Sequence, residues 1–125
     1  MAARVKIFFD GGCRPLPAGM EYALVAAGKP TICRDLGAGT SMEAEWLALI
    51  AAARLAIALE LREPTLLGDA AAVIAQANGA VRCPPRHATQ LATLRALPLP
   101  PRTRIRYLRR AQNLAGIALA RLHDR

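Results

Sequence analysis

Short apolar runs, separated by glycine, proline and charged residues, predict five β-strands at residues 4–10, 20–27, 31–36, 65–68 and 103–108. The first run is apolar on both alternating faces, which is typical of a strand inside a sheet. A turn at Gly28-Lys29-Pro30 separates the second and third runs. The first three strands should therefore form an antiparallel meander.

Apolar residues at helical spacing predict four helices, at residues 42–60, 69–77, 87–97 and 111–122. Thr40 or Ser41 should cap the first helix, because Glu43 and Glu45 follow in its first turn. Strands and helices alternate after the meander, which favours parallel strands. We therefore expect one α/β domain, residues 1–125, with a mixed five-stranded sheet. The sheet would combine the antiparallel meander with two parallel strands and carry helices on both faces.

The composition indicates a basic globular protein. The chain has 17 Lys and Arg against 9 Asp and Glu, a net charge of +8. This charge favours nucleic acid as a partner over a membrane, because no apolar run is long enough to span a bilayer. The alternative is a protein that is merely basic. Cys13, Cys33 and Cys83 form no C-x-x-C pair, so we expect neither a zinc site nor a disulfide, and a reducing, cytoplasmic location.

Three carboxylates lie at the joints of the predicted elements. Asp10 ends the first strand, Asp69 follows the fourth, and Glu45 lies in the first turn of the first helix. Each alone has an ordinary structural explanation, a turn before Gly-Gly or a favourable helix start. If the first and fourth strands are neighbours, however, all three converge at the carboxyl ends of strands. Carboxylates without His or Cys neighbours suit Mg²⁺ or Mn²⁺, and such sites catalyse phosphoryl chemistry.

Four segments together resemble the ribonuclease H family, type I, including its compact reverse-transcriptase-like domains. They are FFDGGC at 8–13, TSMEAEWLA at 40–48, the segment from LGDAAAVI to Gly79 at 67–79, and NLAGIALA at 113–120. Each segment alone is a weak signal, but the four occur in the family's order and span nearly the whole chain. The resemblance implies a ribonuclease H-like fold and a divalent-metal-dependent endonuclease that hydrolyses the RNA strand of RNA–DNA hybrids.

The resemblance also implies roles for particular residues. Asp10, Glu45 and Asp69 would be the catalytic residues and the metal ligands. Candidate substrate-binding residues are Gly11, Gly12, Cys13, Ser41, Met42, Arg109, Arg110 and Asn113. The two arginines could equally form a solvated basic turn, and the Asn113 amide could lend a neutral oxygen to the metal site or touch the substrate.

The chain departs from the family's pattern at its fourth carboxylate. Counting from Asn113, that position is Ile117, whose alkyl side chain cannot ligate a cation. His123 and Asp124 lie about 10 Å further along the predicted helix and are too distant to replace it. We expect Ile117 to be a core residue. Met42 also replaces the family's usual Asn, and the mobile loop histidine has no clear match.

Three functional hypotheses follow. The first is a ribonuclease H-type hydrolase with reduced activity, favoured because a binding module has little use for three mutually repelling carboxylates. The second is a catalytically impaired nucleic-acid-binding module, favoured by Ile117. The third and weakest is a protein-interaction domain that reuses the fold.

Overall fold

The computed structural model of the chain describes residues 5–123. Its sheet contains the strands β1 (Lys6–Cys13), β2 (Met20–Ala26), β3 (Lys29–Cys33), β4 (Thr65–Gly68) and β5 (Arg104–Tyr107). The strand order is β3-β2-β1-β4-β5. The β1–β2 and β2–β3 pairs are antiparallel, whereas β1–β4 and β4–β5 are parallel. The predicted mixed sheet is therefore confirmed. Arg4, the predicted start of the first strand, lies outside the described residues.

Four helices cover the two faces of this sheet: α1 (Ser41–Ala58), α2 (Ala71–Ala77), α3 (Ala88–Ala96) and α4 (Leu114–Leu122). Ile7 and Phe9 of β1 point into the larger core, which they share with Trp46 and Leu49 of α1. Alternate strand residues point the other way, where α4 closes a smaller core around Ala23, Val25, Ala115 and Leu119. Helices therefore lie on both faces, as predicted. No helix within residues 5–123 is long and apolar enough to cross a membrane.

The β2–β3 turn begins one residue earlier than predicted, and β3 spans Lys29–Cys33 instead of residues 31–36. Ala27 and Gly28 have φ values of 51° and 76° and form a two-residue turn, so β3 begins at Lys29. Positive φ at both central positions matches the right-handed twist of a tight hairpin. Pro30 then lies within β3, which tolerates it because β3 is an edge strand.

The last helix begins later than predicted. A single 3₁₀ turn, Arg110–Gln112, precedes Asn113, whose φ of −84° and ψ of 103° are not helical. Asn113 is therefore the N-cap of α4, and the helix starts at Leu114. This difference of a few residues changes what Asn113 can contact.

Candidate metal centre

The carboxylates of Asp10, Glu45 and Asp69 converge at one edge of the sheet. Asp10 lies within β1, which continues to Cys13 instead of ending at Asp10 as predicted, and Asp69 directly follows β4. These two strands are parallel neighbours, and each carboxylate lies two residues beyond the paired Phe8 and Leu67. Glu45 reaches the same place from α1. One oxygen from each carboxylate lies within 4.8 Å of the others. The convergence expected from the sequence is therefore present, in a geometry that could hold a divalent cation.

The position of Glu45 depends on its own helix start and on Gly11. Thr40 caps α1 through a hydrogen bond to the Glu43 amide, and Glu43 reciprocates, which completes a capping box. The Gly11 amide donates a 2.8 Å hydrogen bond to Glu45 Oε1. A Cβ atom on Gly11 would lie 2.3 Å from the Ala44 carbonyl carbon, so only glycine lets α1 approach β1 this closely.

Asn113 connects α4 to the carboxylates from a fully buried position. Its Nδ2 donates to the Phe9 carbonyl at 3.0 Å and to Asp69 Oδ2 at 3.2 Å. Its Oδ1 accepts from the Ala115 amide at 3.1 Å and caps the helix. The side chain has no exposed surface, and its observed role is to hold Asp69 in place. Its contact with metal or substrate stays a prediction.

We expect Asn113→Ala to lower the free energy of unfolding by about 2–4 kcal/mol, because it removes a cap and leaves a buried carbonyl without its donor. Thermal and urea unfolding measure this loss. Gln112→Ala is the matched control, because Gln112 directly precedes Asn113 and its side-chain amide is exposed. Its loss should change the free energy of unfolding by less than about 0.5 kcal/mol. Equal effects of the two variants would contradict the role assigned to Asn113.

Crowding and burial hold protons on this cluster when no cation is bound. The pKa of Asp10 is raised from 3.8 to about 6, mainly by burial and to a smaller extent by the Asp69 carboxylate. Arg110 and a hydrogen bond with Glu45 lower this pKa but do not offset the rise. Burial, followed by the Asp10 carboxylate, raises the pKa of Glu45 from 4.5 to about 8, although the Gly11 hydrogen bond lowers it. A cation that neutralises this repulsion would bind in exchange for protons.

The raised pKa values predict a pH-dependent penalty in the metal-free protein. The folded chain binds protons more tightly than the unfolded chain, so the penalty is absent below about pH 4 and grows as pH rises through the folded pKa values. Glu45→Gln removes one charge but keeps an acceptor for Gly11. In EDTA, its melting temperature should match that of the wild type near pH 4 and exceed it by several degrees at pH 8–9. Mg²⁺ should shrink this difference, whereas a difference that is constant with pH would contradict the assignment.

An open cleft of about 650 Å³ lies over the three carboxylates. Of the predicted substrate-binding residues, Gly11, Gly12, Cys13, Ser41 and Arg110 line it. Their contact with substrate stays a prediction. Arg110 is near enough to lower the pKa of both Asp10 and Glu45.

Two other candidates lie elsewhere. Met42 is half-buried, and its side chain packs against the larger core. Arg109 is exposed at the start of the 3₁₀ turn, outside the residues that line the cleft. Met42 was a candidate because it occupies the position of the family's usual Asn, and Arg109 because it precedes the closing segment at Asn113. Their neighbours Ser41 and Arg110 line the cleft instead, because adjacent residues on a helix or turn point in different directions.

Ile117 is 38% exposed and lines the cleft, so the prediction that it is a core residue is wrong. Ala115 and Leu119 form the buried face of α4, and a residue two positions from each lies on the other side of the helix. The preceding Gly116 lies beside Asp10, since a Cβ atom added there would be 3.6 Å from Asp10 Oδ2. The alkyl side chain of Ile117 therefore forms part of the cleft wall near the carboxylates.

Sequence reasoning missed a polar pair in the same cleft. Glu21 of β2 is 3% exposed, and its Oε2 lies 2.6 Å from Nε2 of His123, the residue directly after α4. Arg34 approaches the other oxygen at 3.7 Å. A carboxylate inside the apolar β2 run was a usable signal for Glu21. Its partner lies 102 residues later, and nothing in the sequence links the two.

Comparison with known proteins places the fold. No protein-family model and no curated protein matches the chain. Among solved structures, the N-terminal RNase H domain of Rv2228c from Mycobacterium tuberculosis, fused to maltose-binding protein, matches with a TM-score of 0.77 and 25% identity over 97% of this chain and 99% of that one. RNase H1 from the halophilic archaeon Halobacterium salinarum NRC-1 matches with a TM-score of 0.75 and 26% identity, over 98% and 99% of the two chains.

A third solved structure, LC11-RNase H1 isolated from compost, was determined in complex with an RNA/DNA hybrid. It matches with a TM-score of 0.74 over 92% of each chain, at 19% identity. At that identity the likeness concerns the fold alone.

The sheet order, the helices on both faces and these matches define a ribonuclease H-like α/β fold. The two RNase H structures match the chain along almost their entire length, so the chain is similar to RNase H domains in its whole fold. The resemblance carried by the four sequence segments is thereby confirmed.

Proposed function

We propose that this protein is a divalent-metal-dependent endonuclease that hydrolyses the RNA strand of RNA–DNA hybrids. The observation that carries the proposal is the convergence of Asp10, Glu45 and Asp69 within 4.8 Å in an open cleft. The similarity of the whole chain to two RNase H structures supports the reaction. The hybrid bound to LC11-RNase H1, a protein of the same fold, supports the substrate.

The chemistry of the donor set fits a hard cation. The cluster offers only carboxylate oxygens, which suit Mg²⁺ or Mn²⁺. The raised pKa values of Asp10 and Glu45 reflect burial first and then repulsion between the carboxylates, which a cation would relieve. Asp10, Glu45 and Asp69 would hold the metal. When bound, it would supply a polarised water and charge neutralisation at the phosphate. Arg110, at the cleft wall, would hold a substrate phosphate, and Asn113 would keep Asp69 in place.

The activity we propose is reduced, because the cleft wall carries Ile117 where the family's pattern has a fourth carboxylate. The same observation favours the second candidate function, a nucleic-acid-binding module with impaired catalysis. In that case the net charge of +8 would support binding while the three carboxylates would hold the metal too loosely to place the attacking water.

Cleavage of an end-labelled RNA–DNA hybrid separates the two functions. The endonuclease predicts RNA fragments that appear with Mg²⁺ or Mn²⁺, disappear with EDTA and depend on Asp10. A hybrid that is bound tightly, in a salt-sensitive manner, yet stays intact with either metal would support the binding module instead. Double-stranded DNA and double-stranded RNA of the same sequence report the substrate preference.

The three cysteines are free in the structure. Reduced thiols fit a compartment rich in glutathione or thioredoxin. We include a cytoplasmic location in this proposal, where an RNA–DNA hybrid could be its partner.

A further inference from the structure

In the part of the chain that the structure describes, residues 5–123, half of one sheet face carries no helix. On this face α4 packs on β1, β2 and β3, whereas the side chains of β4 and β5 that point the same way stay partly or fully exposed. The pairing register places two rows of side chains across β1, β4 and β5. These rows, which we call the open sheet face, are Lys6, Thr65 and Arg104, and then Phe8, Leu67 and Arg106. Phe8 lies at the border of this face, where it packs against the smaller core beneath α4.

The parity of the strands fixes which way these side chains point. Leu66 and Ile105 point into the larger core beneath α1 and α2. Their neighbours in β4 and β5 must point to the opposite side, because successive residues of a strand alternate. Arg104 and Arg106 are accordingly exposed, and Leu67 between them and β1 is only half-buried.

The open sheet face is basic and unneutralised. Lys6, Arg104 and Arg106 are its charged residues, and the other three members are neutral. No acidic side chain within residues 5–123 forms an ion pair with any of these cations. Arg106 donates one hydrogen bond to the adjacent Ile105 carbonyl, which leaves most of its donors available.

Protection of the sheet edge does not account for this charge. Charged side chains on an edge strand prevent pairing with other chains, which would explain Arg104 and Arg106 on β5. Lys6, however, lies on β1, the central strand of the sheet. Cations at both ends of one row, Lys6 at the centre of the sheet and Arg104 at its edge, match a ligand that lies across the strands.

The open sheet face is continuous with the candidate metal centre. Asp10 lies four residues beyond Lys6 in β1, and Asp69 lies two residues beyond Leu67 at the end of β4. At about 3.3 Å per residue, the two cationic rows lie roughly 7–14 Å from the carboxylates. A polyanion held in the cleft therefore reaches these cations if it extends a few nucleotides past the carboxylates.

We propose that the open sheet face, through Lys6, Arg104 and Arg106, is a second nucleic-acid contact that binds the phosphate backbone leaving the cleft. The inference rests on the proposed function for its ligand, nucleic acid, but not on cleavage. Three cations that form no ion pair with an acidic side chain of residues 5–123 match a polyphosphate strand, and counterion release from that strand would make the contact salt-dependent.

The test is binding of a fluorescent 18-base-pair RNA–DNA hybrid to the full chain in EDTA, where no metal-dependent cleavage occurs. The double variant R104Q/R106Q should reduce affinity about tenfold near 0.1 M salt and flatten the slope of log K against log salt by about 2, at roughly 0.9 per phosphate contact. Lys6→Gln should flatten the slope by about 1.

The matched control is R54Q/R62Q, which removes the same charge from two exposed arginines on α1 and in the turn after it. Its affinity and slope should stay close to those of the wild type. Equal values for the two double variants, each with an unchanged melting temperature, would overturn the proposal. Unchanged hybrid binding combined with lost binding to polyglutamate would also overturn it and assign the face to an acidic protein. A protein that binds as expected but never cleaves would refute the endonuclease and leave this contact standing.

Discussion

Ile117→Asp is expected to raise metal-dependent cleavage of RNA–DNA hybrids by about one to two orders of magnitude. Ile117 lines the cleft and is partly exposed, so an aspartate there would face the same space as the other carboxylates. A further oxygen ligand would fix the cation and its water more tightly, and misplacement of a nucleophile by about 1 Å can cost a hundredfold in rate.

A stability measurement checks the same variant independently of catalysis. A fourth carboxylate adds repulsion to a cluster in which burial and mutual repulsion already raise the pKa of Asp10 and Glu45. In EDTA, Ile117→Asp should therefore melt below the wild type, and added Mg²⁺ should stabilise it more than it stabilises the wild type.

Two variants separate ligation from other effects of the substitution. Ile117→Asn has a similar size to the aspartate but no charge, and it should leave the rate within a few-fold of the wild type. Ala120→Asp places the same charge on the cleft wall about one helical turn away and should also leave the rate nearly unchanged. If Ile117→Asp cuts no faster than wild type, another group completes the site.

Asp10→Asn should have effects opposite to those of Ile117→Asp. It should abolish cleavage and stabilise the metal-free protein. Asp10 interacts with both other carboxylates: it forms a hydrogen bond with Glu45 and is repelled by Asp69. Loss of a charged ligand should lower the cleavage rate by at least about a hundredfold. Removal of the charge relieves a penalty of about 1.4 kcal/mol per pKa unit at most, so the melting temperature in EDTA should rise by several degrees at pH 8.

The control for Asp10→Asn is Asp35→Asn. Asp35 is an exposed acid in the loop before α1, with a φ of 58° that asparagine also adopts readily. This variant should keep both the rate and the melting temperature of the wild type. Residual cleavage by Asp10→Asn at the wild-type rate would mean that the activity arises elsewhere.

The sequence was sufficient to predict the framework of the site because each carboxylate lies within or directly after a strongly patterned element. The alternation in β1 predicts where Asp10 lies, and Thr40 with Glu43 predicts where α1 starts and hence where Glu45 points. Local signals of this kind need no knowledge of the rest of the chain. The family resemblance supplied the strand neighbours, which pattern alone could not.

The failures share a different cause. Asn113 was predicted to lie within a helix, whereas it is the N-cap. Its side chain is held by Phe9 and Asp69, and these contacts are not visible in the sequence because both residues are remote along the chain. Ile117 was expected in the core because apolar character does not reveal which side of α4 faces the sheet. The open sheet face was invisible for the same reason, since its rows exist only once the register of β1, β4 and β5 is known.

The hydrogen bond between Asn113 and Phe9 joins residues 104 positions apart. Contacts so distant along the chain form only after a large loop has closed, and they are usually among the slower steps of folding. During synthesis, all three carboxylates leave the ribosome before α4 does. Asn113, which holds Asp69, therefore emerges after all three carboxylates, and the geometry of Asp69 is completed only once α4 has docked on the sheet.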